Sequence, residues 1–257
     1  MGTEHIRDNN GSNTLDMDVL TIPGGGGFQF SAVKPAILAD LASEYTLVTL
    51  AIDVTGSVYY FADQLLEMVK YVVRACKKSP RSENLLLRVI VFNTKIKELH
   101  GFIPVGQIDP DNDYKPFSCT GLTALRDAIY SGIGATLTLA QSLTKKDFTV
   151  NGVLYVITDG DDNASSRTPT QIADMVDQLA SSEGIIESFI SILVGINTKQ
   201  CSGFLYSLQN EAKLTKYIDA GDATPQNLAK LGGWVSKSVS SVSQSLGTGG
   251  PSQPLSF

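Results

Sequence analysis

From residue 45 onward, continuous apolar runs alternate with segments whose apolar positions recur every three to four residues. The run YTLVTLAID, residues 45–53, is β-branched and unbroken, which predicts a strand buried on both faces. VYYFADQLLEMVKYVVRACKKS follows and puts Leu65, Met68, Val69, Val72 and Val73 on one helical face. NLLLRVIVFNT predicts a second strand, and KIKELHGF a short strand paired to it through a turn near Asn93 and Thr94. TALRDAIYSGIGATLTLAQSL predicts a helix weakened in its middle by Gly132 and Gly134. GVLYVITDG is a third long buried strand, and TPTQIADMVDQLASS a helix with Thr168 as N-cap and Pro169 at its first position. A strand (IESFISILVGI), a helix over 201–213, a short strand (KYIDA) and a last helix (TPQNLAKLGGWVSKSVSSVS) complete the series. Strands alternating with helices predict an α/β fold: a doubly wound, mostly parallel sheet with helices on both faces, in a single domain over residues 45–243.

The ends have a different texture. Residues 1–44 read as an acidic, flexible arm, polar and mostly irregular through residue 28. PGGGGF reads as a hinge rather than a phosphate loop, because no Lys-Ser/Thr follows the glycines. VKPAILADLAS, residues 33–43, predicts a short helix with Pro35 in its first turn. Residues 244–257 are rich in Gly, Ser and Pro and read as an irregular tail.

Composition narrows the function classes. The 257 residues are 42% apolar and 18% charged, as in a globular protein, with a net charge of −6. No Lys/Arg block or basic helix face exists, which argues against nucleic acid as a partner. Residues 1–44 carry six acids (Glu4, Asp8, Asp16, Asp18, Asp40, Glu44) against Arg7 and Lys34, so −4 of the charge lies there and −2 in the rest. Cys76, Cys119 and Cys201 have no metal-ligand spacing and read as reduced thiols. With no signal-peptide pattern and no apolar run near the roughly 20 residues of a membrane span, the expected location is the cytoplasm, with no membrane partner.

In open parallel sheets ligands bind beyond the carboxyl ends of the strands. Three polar groups fall there. AIDVTGS ends the first strand with Asp53, Thr55 and Ser57; SCTGLTALRDA puts Thr120 and Thr123 in a loop that opens a helix; TDGDDN begins with Asp159. All offer carboxylate or hydroxyl oxygens, a donor set suited to a hard divalent cation such as Mg²⁺. Each segment alone has an ordinary explanation: Ser57 and Thr123 as helix-start residues, Asp159-Gly160 as a turn. Their order and strand context together shift the balance toward a site.

Asp53-x-Thr55-x-Ser57, then Thr123 in GLTALRDA, then Asp159 in VITDG resembles the metal-ion-dependent adhesion site of von Willebrand factor type A domains. The resemblance covers roughly residues 45–243, with Thr55 where the family pattern has its first Ser. It implies a Mg²⁺ (or Mn²⁺) ion held directly by Thr55, Ser57 and Thr123, with Asp53 and Asp159 partly through water. It also implies a non-enzymatic module that binds a protein partner offering an Asp or Glu carboxylate. Thr120 is the lesser candidate, since Thr123 has the matching TAL context. GGWVSKSVSSVSQS further resembles the bacterial TerY-like branch found with tellurite-resistance and stress-response genes. That branch implies kinase, phosphatase or TerD-like partners, whereas a phage-encoded relative would be virion-associated. A structural or assembly role, in a multi-protein complex or a phage particle, with the arm and tail making the contacts, stands as the alternative.

Enzyme readings fit less well. A haloacid-dehalogenase-type phosphatase needs Asp-x-Asp, but Thr55 occupies the second position and cannot act as an acid or base. SGIGAT lies inside a helical stretch, not after a strand, and no Gly-x-Ser-x-Gly is present. His100 reads as a structural histidine, Asp161 and Asp162 as solvated loop acids, and Trp234 as core.

Overall fold

Where a strand is buried on both faces its side chains divide between two cores, and the central strand shows this directly. Val48, Leu50 and Ile52 belong to one buried cluster, Leu47 and Ala51 to the other. A computed structural model describes residues 15–24, 26–38, 42–181, 184–248 and 255–257. Its strands are β1 (Met17–Thr21), β2 (Gln29–Val33), β3 (Glu44–Asp53), β4 (Leu85–Phe92), β5 (Ile96–Pro104), β6 (Thr149–Thr158), β7 (Ser188–Gly195) and β8 (Lys216–Asp219). The helices are α1 (Pro35–Leu38), α2 (Ala62–Lys77), α3 (Pro110–Asp113), α4 (Leu125–Thr144), α5 (Pro169–Ser181), α6 (Ser202–Glu211) and α7 (Pro225–Thr248).

The eight strands form one sheet in the order β1-β2-β5-β4-β3-β6-β7-β8. β4, β3, β6, β7 and β8 run parallel to one another, and β5 is antiparallel to β4. Helices α2 and α7 contribute to the core on one face, α4, α5 and α6 to the core on the other. The expected doubly wound α/β fold is therefore present. α5 begins as its sequence indicates: the Gln171 N–H donates to Thr168 Oγ1 at 3.2 Å, and the Thr168 N–H to Gln171 Oε1 at 3.0 Å, a reciprocal cap.

The N-terminal reading needs correction. The second half of the expected irregular arm forms the hairpin β1–β2, which joins the sheet beside β5. Gly24, Gly26 and Gly27 of the glycine run lie in the loop of that hairpin, closed by the Ile22 N–H donating to the Phe28 carbonyl at 2.9 Å. Gly24, Gly26 and Gly27 all have positive φ, a conformation other residues adopt only with strain. The expected helix over 33–43 is the single turn of α1, with 39–41 outside the described residues. Residues 1–14 of the arm and 249–254 of the tail also lie outside them. The tail reading is corrected at its start, where α7 continues to Thr248; residues 255–257 are irregular as expected, with Leu255 and Phe257 packed on the core.

The hairpin approaches β5 closely at Gly101, where an added Cβ would lie 1.9 Å from the Ser31 carbonyl oxygen. Gly101→Ala is thus expected to push β2 away and cost about 1–3 kcal/mol, the usual penalty of overpacking. Chemical denaturation gives the magnitude, and hydrogen exchange should localise the loosening to β1 and β2. Unchanged stability would contradict this close approach.

Candidate functional site

β3 stops being a strand where its pairing stops. Asp53 is its last residue, opposite Phe92 of β4, and the Val54 N–H donates to the Phe92 carbonyl at 2.8 Å. The chain then turns into a 3-10 helix, Gly56–Phe61, before α2 begins. The Asp53 side chain is buried at the carboxyl edge of the sheet. Its Oδ1 accepts the Thr55 N–H at 2.8 Å, and its Oδ2 accepts the Thr158 hydroxyl at 2.6 Å. Burial pushes the Asp53 carboxyl up to about 6, against those bonds and with a smaller contribution from the Asp159 charge. Asp159, also raised by burial and held down in part by its bond from Ser57, follows β6.

Four of the five expected residues meet through hydrogen bonds. Ser57 Oγ donates to Asp159 Oδ1 at 2.9 Å across a sequence separation of 102 residues. Thr55 Oγ1 and Ser57 Oγ are 3.1 Å apart. Thr123 is buried on the adjoining loop, its N–H donating to Asn163 Oδ1 at 2.7 Å. Its carbonyl accepts the N–H groups of Asn163 and Ala164, both at 3.0 Å. These bonds set Thr123 against the loop that Asp159 begins, but no hydrogen bond joins its hydroxyl to the other four among the described residues. The Thr120 N–H donates to the Val54 carbonyl at 3.0 Å, tying the same loop to the end of β3.

The oxygen donors fit a small hard cation. Adjacent ligands of an octahedral Mg²⁺, with metal–oxygen bonds of about 2.0–2.1 Å, lie about 3.0 Å apart. The Thr55–Ser57 hydroxyl separation of 3.1 Å matches that edge, and Ser57 is bonded to the Asp159 carboxylate behind it. Among the described residues no group of three or more His, Cys, Asp or Glu could hold a metal. A cation at this edge would therefore rely on hydroxyls as well as on two carboxylates.

Residues that sequence reasoning undervalued hold the loops in place. Asp162 is not a solvated loop acid: its side chain is fully buried and pairs with Arg126 Nε at 3.1 Å. Burial would push its carboxyl up, but Arg126, Ser165 and two backbone N–H groups outweigh this and hold it below the ordinary value. Asp127 in the first turn of α4 likewise accepts the Arg167 N–H at 2.9 Å and the Ser166 N–H at 3.0 Å. The available signal was the pairing of ArgAsp at the start of one helix with the Asp-x-x-Ser of a neighbouring loop, which acquires meaning only once the two are adjacent.

Other candidates for chemistry fall away. Cys119 and Cys201 flank the edge, with Cys201 Sγ 3.9 Å from the Asp159 carbonyl. Burial first and neighbouring carboxylates second push both thiols up, which opposes nucleophilic chemistry. All three cysteines are free. His100 is buried and structural: Nδ1 donates to the Gly101 carbonyl at 2.9 Å, and the Tyr114 hydroxyl donates to Nε2 at 2.7 Å. Burial lowers its pKa, keeping the ring neutral.

Three large apolar side chains stand exposed beside the site: Tyr59 (69%) and Tyr60 (89%) in the 3-10 turn after Ser57, and Leu122 (54%) before Thr123. Among the described residues no helix is long and apolar enough to cross a membrane.

No family model matches the sequence, and no curated protein matches it. Solved structures do. A point mutant of the PilB minor pilin from Streptococcus sanguinis superposes with a TM-score of 0.58 at 13% identity, over 82% of this chain and 64% of that one. The pilus adhesin SpaC from Lactobacillus rhamnosus GG, in an open conformation, gives 0.57 at 12% identity, over 77% and 30%. Proximal thread matrix protein 1 from the mussel byssus, with a zinc-occupied MIDAS motif (a metal-ion-dependent adhesion site), gives 0.52 at 17% identity, over 77% and 46%. The chain thus spans less than two thirds of each of these proteins. At such identities the likeness concerns the fold alone, a mostly parallel sheet flanked by helices.

Proposed function

We propose that this protein is a non-enzymatic interaction module that binds a protein partner through a divalent cation at the carboxyl edge of its sheet. The observation that carries the reading is the convergence of Asp53, Thr55 and Ser57 with Asp159, 102 residues further on between the bonded side chains, into one oxygen-only cluster. Thr55, Ser57 and Thr123 would hold Mg²⁺ (or Mn²⁺) directly, with Asp53 and Asp159 in support. The cation would supply a positive charge with open coordination positions, and an Asp or Glu carboxylate of the partner suits such a position. The exposed Tyr59, Tyr60 and Leu122 would give that partner apolar contact area around the charge. That PilB and SpaC are described as a pilin and a pilus adhesin is in keeping with a binding role. The resemblance to the TerY-like branch would place the partner among kinase, phosphatase or TerD-like proteins of a stress complex.

Manganese titration followed by electron paramagnetic resonance tests the reading. The wild-type chain should bind Mn²⁺, and Asp53→Ala and Asp159→Ala should each weaken binding by about tenfold or more. Capture of a purified candidate partner should require Mg²⁺ and be reversed by EDTA. Equal Mn²⁺ binding by wild type and both variants would remove the basis of the proposal.

A further inference from the structure

The end of the described chain returns to the body and seats on α7. The Nε1–H of Trp234, the chain's single tryptophan, donates to the Ser256 carbonyl at 3.0 Å. Phe257 meets the Trp234 ring edge-on at a centroid distance of 5.7 Å, and Tyr155 does the same from within the core at 5.8 Å. Lys230 Nζ lies 4.3 Å from the Phe257 ring centroid, a cation–π contact. Lys216, at the start of β8, donates from Nζ to the Leu255 carbonyl at 3.3 Å. Leu255 and Phe257 are half-buried against the core cluster that contains Trp234.

These are the components of peptide recognition: an aromatic anchor against an aromatic wall, a second apolar contact two residues away, and side-chain donors reading two successive backbone carbonyls. None of them depends on the covalent link to Thr248. The connecting residues 249–254, GGPSQP, contribute no apolar side chain beyond proline. We propose that this groove of α7 and β8 is a peptide-binding site for segments of the form apolar-x-aromatic, filled in cis by Leu255–Phe257 and taken in trans by a partner presenting the same chemistry. A tether of only six residues raises the effective concentration of the cis segment to about the millimolar range, so the partner must compete with it. The site is separate from the oxygen cluster and stands whether or not a metal binds there.

Because Trp234 is the only tryptophan, its emission reports the groove directly. In the full chain carrying Leu255→Ala and Phe257→Ala, the emission should shift to the red and acrylamide quenching should rise. The synthetic peptide SQPLSF, identical to residues 252–257, should reverse both changes saturably, and the peptide ending in Ala should not. On the wild-type chain, a fluorescein-labelled SQPLSF should show a rise in anisotropy only at much higher protein concentration, a comparison that does not depend on the variant's folding. A variant spectrum identical to wild type would overturn the proposal. So would a folded variant that stays red-shifted in several millimolar peptide, or the absence of any anisotropy rise.

Discussion

Asp53→Asn is expected to abolish divalent-cation binding and, in the metal-free protein, to raise stability at pH 7 by about 2 kcal/mol. The two effects share one cause. Asp53 is buried at the sheet edge, with the Thr158 hydroxyl and the Thr55 backbone N–H as bonded partners. Burial raises its pKa from 3.8 to about 6. The folded chain therefore binds a proton that the unfolded chain has already released between those values. Stability then falls as pH rises from about 4 to about 6, and the full penalty is present above 6. A shift of about two units corresponds to about 3 kcal/mol at 1.36 kcal/mol per unit. Asn keeps the acceptor for the Thr55 N–H but must repack against the Thr158 hydroxyl, which reduces the gain. Denaturation in EDTA at pH 4 and pH 7 measures this: wild type should be the less stable at pH 7, and the variant should lack that component of the slope. Saturating Mg²⁺ should stabilise wild type by about 2.7 kcal/mol at a hundred times its dissociation constant and leave the variant unchanged. A variant less stable than wild type at pH 7 in EDTA would show that the carboxylate is better accommodated than its burial implies.

The largest loss of stability is expected from Glu98→Ala. Arg88 lies in β4 with its side chain fully buried, and Glu98 of β5 is its counter-ion at 2.7 Å. Burial pulls the Arg88 pKa down, and the Glu98 charge and hydrogen bond offset this. Arg88 also donates to Ser131 of α4 at 3.3 Å, and Glu98 accepts both the N–H and the hydroxyl of Ser31 in β2. One ion pair thus ties the edge hairpin to the sheet and to α4. Removing Glu98 strands a guanidinium in the core, at a cost of about 3–5 kcal/mol. Arg88→Met removes the buried charge with little change in volume. It leaves Glu98, whose side chain is 21% exposed, with its Ser31 bonds and access to water. It should therefore cost clearly less than Glu98→Ala. Urea denaturation of both variants decides the matter, and the reverse order of stabilities would refute the account.

How far the chain was legible varied with the kind of signal. α2 and β3 were legible because their burial patterns are local and long: Leu65, Met68, Val69, Val72 and Val73 share a buried face, and every residue of β3 after Glu44 is buried. The hairpin was not. MDVLT and QFSAV are five residues each, β1 is an edge strand only partly buried, and PGGGG between them carries the same composition as a hinge. What makes it a loop is the pairing of β1 with β2, and what makes the pair part of the sheet is β5, 70 residues away (Ala32 opposite Phe102). Asp162 was misread for a related reason. Surface acids are the default for loops, whereas its buried carboxylate is paired with Arg126 of a distant helix and bonded to Ser165.

The sequence by itself determined the alternation of strands and helices, the doubly wound α/β class, and the residue types gathered at the carboxyl ends of β3 and β6. Apolar periodicity and chain order are properties of consecutive residues, and they suffice for that. Only the tertiary structure decided that Ser57 touches Asp159, that Asp53 is buried enough to resist ionisation, and that Leu255 and Phe257 come back to Trp234. Each of those depends on desolvation and on contacts between residues far apart in the chain, and neither quantity exists until the sheet has brought its strand ends to one edge.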